Sequence, residues 1–250
     1  MPSSVVAASP KVLNILDKLH AESSAQESSF SIFTWWIRKQ LLSLFTKEIW
    51  SSRDDDYMRD KFIALEADKS EFLYLLARST GATCIVEAGT SFGVSTIYLA
   101  LAAGQNAAEK ASSFAVSPEQ APKVIGTENE PSKAARAKEH WKQAGEEVEP
   151  YITLLEGDLR ELLPKEVDKT DRIDLLLLDI WTPMALPALK IVQPKLRHGA
   201  LIIADNTTFS RANYKEFLDY IHDPKHGFKT MTTPFRGGLE VAVYLPSENA

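Results

Sequence analysis

A short segment rich in glycine and hydroxyl side chains follows the first predicted strand, and its spacing suits a bound nucleoside. The segment reads Glu87-Ala88-Gly89-Thr90-Ser91-Phe92-Gly93-Val94-Ser95. Gly89 and Gly93 allow a tight turn and a close approach of a ligand to the backbone. Because such glycine pairs also occur in ordinary strand-to-helix turns, the segment indicates a nucleoside site only together with other residues.

Acidic residues follow the next two predicted strands. Glu128 ends the second strand, where a carboxylate could accept hydrogen bonds from both hydroxyls of a ribose. Gly157-Asp158 ends the third strand, where an adenine amino group could be bound. Either carboxylate could instead favour or cap the following helix. The order of a glycine turn and two acids on successive strands nevertheless favours a nucleoside site.

Alternating strands and helices from Thr83 onward position these residues. Strands are predicted at 84–86, 124–127, 151–155, 173–178 and 200–204, and two more at 228–233 and 239–245 surround a turn at 235–238. Repeated β-α-β units imply a parallel sheet covered by helices on both faces. The last two strands imply at least one antiparallel strand. The sequence therefore predicts an α/β fold whose ligands lie at the carboxyl ends of the strands.

Residues 1–65 contain no strand pattern and are predicted as an N-terminal helical lid or dimer arm, with an aromatic segment at 30–50. Residues 66–250 form the predicted sheet domain, in which 105–122 lack periodicity and are expected to be an irregular insertion. A homodimer through the N-terminal helices is one expected assembly. His140 lies in the middle of a charged helical stretch and is expected at the solvated surface.

From about residue 65 to 245 the chain resembles a class I S-adenosylmethionine-dependent methyltransferase. More narrowly, it resembles the small-molecule O-methyltransferases of the catechol and caffeoyl-CoA type. The glycine segment, Asp179-Ile180-Trp181 and Ala204-Asp205-Asn206 carry the resemblance. It implies a single Rossmann-like, doubly wound sheet of seven strands in the order 3-2-1-4-5-7-6, with strand 7 antiparallel.

The resemblance also implies a cofactor site for S-adenosyl-L-methionine, with Trp181 packed against the adenine unless it is a core aromatic. The residues expected to bind the cofactor are Glu87, Gly89, Thr90, Ser91, Gly93, Ser95, Glu128, Asn129, Gly157, Asp158, Asp179 and Trp181. The absence of a Gly-x-Gly-x-x-Gly segment argues against a nicotinamide dinucleotide, because nothing obvious would hold a diphosphate.

Three side-chain oxygens, from Asp179, Asp205 and Asn206, follow neighbouring strands. Mg²⁺ prefers hard oxygen ligands, and in the resembling family these positions hold a metal. Mg²⁺ or another divalent cation is therefore an expected cofactor. The alternative is that the three residues only cap turns and helices.

The chain departs from the resembling family at Thr182. In the catechol-type enzymes a Lys at this position acts as the general base, and a Thr hydroxyl cannot do so at neutral pH. Asp179 and Thr182 are the candidate catalytic positions for O-methylation of a small hydroxyl (phenol- or catechol-like) or carboxyl acceptor. Four alternatives stay open: a base elsewhere, activation by the metal alone, an acceptor that arrives as an anion, or a cofactor-binding protein whose catalysis is lost or altered.

Two other enzyme classes compete with this interpretation. Gly89-Thr90-Ser91-Phe92-Gly93 fits the Gly-x-Ser-x-Gly segment of serine hydrolases, and His222 or His226 follows in the right chain order, but no earlier strand could carry an oxyanion loop. For an NAD(P)-dependent oxidoreductase, the pair Tyr57 and Lys61 precedes the whole sheet.

Composition limits the partners. The 250 residues carry a formal net charge of −6, which argues against nucleic acid as the main partner because phosphate binding needs a basic face. No stretch approaches the roughly 20 apolar residues of a membrane span. With one cysteine and no recognisable leader, the expected location is the cytoplasm.

Overall fold

The computed structural model describes residues 5–27, 62, 64–112 and 121–247. The predicted aromatic segment 30–50 and the competing pair Tyr57 and Lys61 lie outside these residues, as do most of the positions assigned to the lid or dimer arm.

The described chain contains seven helices and seven strands of regular length, joined by short 3₁₀ turns. The helices are α1 (Pro10–Glu27), α2 (Ala67–Ser79), α3 (Val94–Ser112), α4 (Pro131–Ala144), α5 (Leu159–Val167), α6 (Ala185–Val192) and α7 (Lys215–His222). The strands are β1 (Cys84–Ala88), β2 (Lys123–Glu128), β3 (Ile152–Glu156), β4 (Ile173–Leu178), β5 (Leu196–Ala204), β6 (Phe228–Thr233) and β7 (Leu239–Tyr244).

The strands form one sheet in the order β3-β2-β1-β4-β5-β7-β6. Strands β1 to β5 pair in parallel, whereas β7 is antiparallel to both β5 and β6. The predicted fold class and strand order are confirmed. Because β1 and β4 lie side by side at the point where the strand order reverses, their carboxyl ends form the ligand edge of the sheet.

Alternation along the strands divides the core between the two faces of the sheet. In β1, Ile85 packs into the layer that contains α1 to α4, whereas Val86 and Ala88 pack into the layer that contains α5 to α7. The strand is buried at every position, as expected for the centre of a parallel sheet covered on both faces.

The first helix belongs to the first of these layers. Val12, Leu16 and Leu19, at helical spacing, are buried in the same core as α2 and α3. The imidazole of His20 lies 2.9 Å from the hydroxyl of Tyr98 in α3. These contacts tie the N-terminal helix to the sheet domain.

Helix α3 is longer than the sequence predicted. The irregular insertion was expected from residue 105, but the helix continues to Ser112. Buried Asn106 donates hydrogen bonds to the carbonyls of Ala77 and Ala82 at 2.9 and 2.8 Å, which fixes the last turns of α3 against the end of α2. Residues 113–120, the middle of the predicted insertion, lie outside the described chain.

No helix in the described part of the chain is both long enough and apolar enough to cross a membrane.

Candidate cofactor and acceptor site

The glycine turn lies directly against the end of the neighbouring strand β4. Gly89 has φ +91°, and an added Cβ would lie 2.1 Å from the carbonyl oxygen of Asp179. The amide of Asp179 donates to the carbonyl of Ala88 at 3.1 Å. A side chain at position 89 would therefore both strain the backbone and push β1 away from β4.

Glu87 holds this turn from the inside. Its carboxylate is fully buried and accepts hydrogen bonds from the hydroxyls of Thr90 (3.0 Å), Ser95 (2.6 Å) and Thr96 (2.5 Å). Burial raises the pKa of Glu87 to about 7, although the three hydroxyls act in the opposite direction. Of the residues predicted to bind the cofactor, Glu87, Thr90 and Ser95 thus contact one another and shape the turn.

Glu128 reaches the turn from the next strand. One carboxylate oxygen accepts from the amide of Ser91 at 2.7 Å, and the other accepts from the amide of Glu130 at 2.8 Å. Ser91 has φ +50°, uncommon for a residue with a side chain. The carboxylate is only partly buried, so it stands at the ligand edge. The adjacent Asn129 is exposed.

Asp158 caps helix α5, as the alternative interpretation expected. Its side chain accepts from the amide of Arg160 at 2.8 Å and forms an ion pair with the guanidinium of the same residue. The preceding Gly157 has φ +130°, and its amide donates to the carbonyl of Glu128 at 2.8 Å. The Gly157–Asp158 corner is thereby tied to the end of β2.

Trp181 and Thr182 lie beside the end of β4. The side chain of Trp181 is 55% exposed, which makes it one of the few exposed large hydrophobic residues of the described chain. Thr182 begins a short 3₁₀ turn, Thr182–Met184, before α6. An exposed indole at a ligand edge is available for stacking on a planar group, and it is not part of the core.

Helix α4 packs on the glycine turn from outside, and here the prediction for His140 was wrong. His140 is 8% exposed, and its Nδ1 lies 2.9 Å from the carbonyl oxygen of Phe92. The indole N–H of Trp141 donates to the carbonyl of Gly93 at 2.9 Å. Both contacts satisfy turn carbonyls, which explains why a charged helical stretch turns these two residues inward.

A buried ion pair occupies the carboxyl end of β5. The Lys69 ammonium, from α2, lies 2.6 Å from Oδ1 of Asp205 and 2.8 Å from Oε2 of Glu66, and the lysine side chain is fully buried. The other carboxylate oxygen of Asp205 accepts from the Asn206 side-chain amide at 2.9 Å. Burial alone would lower the pKa of Lys69, but the Asp205 and Glu66 carboxylates outweigh it and raise that pKa.

Asp179 lies close to this pair. Burial raises its pKa, and the neighbouring carboxylates of Asp205 and Glu87 add to the effect. The buried Tyr214, just before α7, faces the same carboxylates, and its pKa is raised by burial and then by Asp179 and Asp205. The ends of β4 and β5 and the starts of α2 and α7 therefore converge on one acidic cluster that contains the Lys69 ammonium.

The residues at this edge do not fit the expected divalent cation. A metal ion held by Asp205 would have to share that carboxylate with an ammonium already at 2.6 Å, and the two cations repel each other. The side-chain nitrogen of Asn206 donates to Asp205, and its side-chain oxygen lies against Gly237.

Lys69 and Glu66 were missed by the sequence analysis. A usable indication existed: Lys69, Leu73 and Ala77 follow one another at intervals of four, so the lysine shares the buried face of α2. A lysine on an apolar helix face is rarely buried without a partner. Its partner was not evident, because Asp205 lies 136 residues further along the chain.

A small pocket opens between the glycine turn and the segment that precedes α2. It is lined by Ala64, Leu65, Thr90, Ser91, Phe92, Val94, Ser95 and Asp179. The pocket therefore joins the predicted cofactor turn to the acidic cluster.

The hydrolase alternative finds no triad here. In the part of the chain that the structure describes, no histidine forms a hydrogen bond with the side chain of Ser91. His222 instead lies 2.9 Å from Glu240, and His226 lies 2.7 Å from the carbonyl oxygen of Tyr220. Without a histidine, Ser91 has no general base to activate it.

Comparisons with known proteins agree with this geometry. Residues 86–207 match a family model described as a methyltransferase domain. Over 145 residues the chain is 28% identical to a catechol O-methyltransferase from Niastella koreensis, and this match spans 58% of each of the two chains. The resemblance to catechol-type methyltransferases predicted from the sequence is confirmed.

Solved structures share the fold. The cofactor-bound Rv0187 from MTB superposes with a TM-score of 0.64 at 20% identity, covering 98% of this chain and 94% of that one. The O-methyltransferase TomG from Streptomyces achromogenes, solved in complex with SAM and involved in tomaymycin synthesis, superposes with a TM-score of 0.61 at 21% identity, covering 89% and 99%. At these identities the likeness establishes the methyltransferase fold.

Proposed function

We propose that this chain is an S-adenosylmethionine-dependent methyltransferase that methylates an oxygen of a small-molecule acceptor. The observation that carries the proposal is the glycine turn bound to Glu128, at the switch point of a sheet with the methyltransferase strand order. The methyltransferase domain match over 86–207 and the catechol O-methyltransferase relative support the same activity.

In this proposal the ligand edge divides into three parts. The glycine turn receives the amino-acid part of the cofactor, Glu128 accepts the ribose hydroxyls, and Trp181 stacks on the adenine. A partly buried carboxylate and an exposed indole suit these two roles. Asn129 and Asp158 flank the same groove, and Asp158 keeps its capping bond to α5.

The main catalytic task of the protein in methyl transfer is to align the two reactants. S-adenosylmethionine supplies a methyl group on a sulfonium, which is already a good leaving group, so alignment with the acceptor oxygen is the main task. Thr182 offers no base, and Asp179 lies in a cluster that disfavours its ionised form. The acceptor therefore brings an oxygen that ionises easily, such as a carboxylate or an acidic phenol.

Calorimetric titration with S-adenosylhomocysteine tests the cofactor site. We expect saturable one-to-one binding that weakens by about tenfold to hundredfold in Glu128→Ala, since hydrogen bonds to a charged acceptor contribute roughly 1.5–3 kcal/mol. Glu139→Ala removes an exposed carboxylate of α4 and serves as the matched control. If the folded protein does not bind, or if both variants bind equally well, the methyltransferase proposal is wrong.

The acceptor class is tested next, with labelled S-adenosylmethionine and matched pairs of acceptors. Carboxylic acids and acidic phenols should accept methyl groups, whereas aliphatic alcohols of the same size should not. Cofactor binding with no turnover on any acceptor would instead favour the alternative of a non-catalytic cofactor-binding protein.

A further inference from the structure

We infer that the Lys69 ammonium takes the place of the divalent cation at this acidic edge, and that the chain needs no metal ion there. The inference rests on the proposed function only where it concerns turnover. Occupancy of the edge by the ammonium depends on the ion-pair geometry alone.

The position of the ammonium is fixed by the fold. Lys69 lies in the first turn of α2 and shares its buried face with Leu73 and Ala77, which pack in the core. The carboxylate of Glu66 lies 2.8 Å from the same nitrogen, one helical turn earlier. The ammonium therefore reaches Asp205 from an anchored helix.

The ligands that a metal would need already have partners. Asp205 is 3% exposed, and its two carboxylate oxygens contact Lys69 and Asn206 at 2.6 and 2.9 Å. The Asn206 contact is also fixed by the fold, because the Asn206 backbone has φ +58° and its side chain packs under Gly237. A metal ion at Asp205 would therefore have to lie beside the ammonium, and the two cations would repel each other.

The charge balance of the edge is also met by the lysine. Asp205 is the buried carboxylate of this edge, and the Lys69 ammonium compensates its charge, since burying a carboxylate without a cation is unfavourable. In the metal-assisted scheme the divalent ion would supply this compensation. Here the chain supplies it from α2, while the position after Trp181 holds the uncharged Thr182.

Lys69 is thus a positioning residue. Its side chain is fully buried, so it acts through Asp205 by holding the end of β5 against the start of α2. The sulfonium and the acceptor meet beside this edge in the proposed function. The catalytic consequence is turnover that does not depend on a divalent cation.

The test measures binding of Mn²⁺ to the full chain, by electron paramagnetic resonance and by calorimetry, with no cofactor or acceptor present. We expect the wild type not to bind Mn²⁺ at metal concentrations below about 1 mM, although weak sites made of oxygen ligands bind divalent cations at such concentrations. Lys69→Gln removes the cation but keeps a hydrogen-bond donor for Asp205, and Lys69→Ala leaves space for an ion. Both should bind Mn²⁺ at least about tenfold more tightly than the wild type.

Two controls make the result specific. Lys69→Met fills the same space without charge or oxygen and should gain less affinity than Lys69→Ala. Adding Asp205→Asn to Lys69→Gln should abolish the gain. Circular dichroism shows which variants are folded. If Lys69→Ala does not fold, the comparison of Lys69→Gln with the wild type still tests the inference.

Tight Mn²⁺ binding by the wild type would overturn the inference, as would folded Lys69→Gln and Lys69→Ala variants that gain no affinity. Because these measurements need no cofactor, they stand whatever the S-adenosylhomocysteine titration shows. If that titration confirms the cofactor site, wild-type turnover should be unchanged by EDTA, and turnover lost in EDTA and restored by Mg²⁺ would refute the metal-independent reaction.

Discussion

Glu87→Gln would remove a negative charge from the inside of the glycine turn while keeping the shape of the side chain. The wild-type carboxyl is fully buried and contacts three hydroxyls, which can also donate to or accept from an amide. We therefore expect the variant to fold, to keep the turn and to bind S-adenosylhomocysteine with an affinity close to that of the wild type.

The stability difference between the two proteins should depend on pH. Folding raises the pKa of Glu87 from 4.5 to about 7, with burial as the main cause. A raised pKa in a carboxyl gives stability that is present below the unfolded value and is lost as pH rises through the folded value. A shift of this size corresponds to about 3 kcal/mol, most of it lost between pH 5 and pH 8.

Urea unfolding of both proteins at several pH values between 5 and 8, followed by circular dichroism, measures this difference. The wild type should lose about 2–3 kcal/mol relative to Glu87→Gln over that range. Other titrating groups contribute to both proteins and cancel in the comparison. Glu139→Gln, at an exposed site in α4, should follow the wild type throughout. Parallel curves for the wild type and Glu87→Gln would show that the Glu87 carboxyl does not hold a proton at neutral pH.

Two further predictions concern the carboxyl and amino ends of the parallel strands. Gly89→Ala should weaken S-adenosylhomocysteine binding by at least about tenfold, since its Cβ would lie 2.1 Å from the Asp179 carbonyl oxygen. Gly145→Ala is the control: φ is a similar +82°, but only the end of a lysine side chain lies nearby, at 3.2 Å, so it should lower stability and leave binding intact. Equal binding by both variants would contradict the close approach of Gly89 to Asp179. Asp174→Asn should destabilise the protein by about 2–3 kcal/mol at pH 7 without changing cofactor affinity, because buried Asp174 accepts from Arg197 at 2.7 Å at the opposite edge. Backbone amides and that arginine lower the pKa of Asp174 despite its burial. The loss of unfolding free energy in Asp174→Asn, measured by urea unfolding, should therefore shrink as pH falls through that low pKa. A loss that does not depend on pH would show that the Asp174 carboxylate does not stabilise the fold through its charge.

Patterns local in the chain were enough to predict most of the fold. A buried strand such as β4, apolar except for one residue, and the glycine turn after β1 are properties of a few neighbouring residues. Because parallel strands all end at one edge, the sequence alone assigned Glu128, Asp179 and Asp205 to that edge. The turn at 235–238 predicted at least one antiparallel strand, whereas the resemblance to methyltransferases identified it as β7.

Local patterns failed where a contact joins distant parts of the chain. His140 was expected in solvent because its neighbours in sequence are charged, yet a turn carbonyl 48 residues earlier turns it inward. Residues 105–112 were expected to be irregular, but contacts with the end of α2 hold them in a helix.

The sequence by itself determined the order of the elements, the edge at which ligands bind and the residue types present there. Only the tertiary structure decided what those residues do to one another. It placed Glu87 inside the turn, and it brought the Lys69 ammonium to an aspartate 136 residues away. The physical reason is that a carboxylate's charge state and partners depend on burial and on neighbours in space. One oxygen of Asp205, which was expected to bind a metal ion, therefore contacts the Lys69 ammonium.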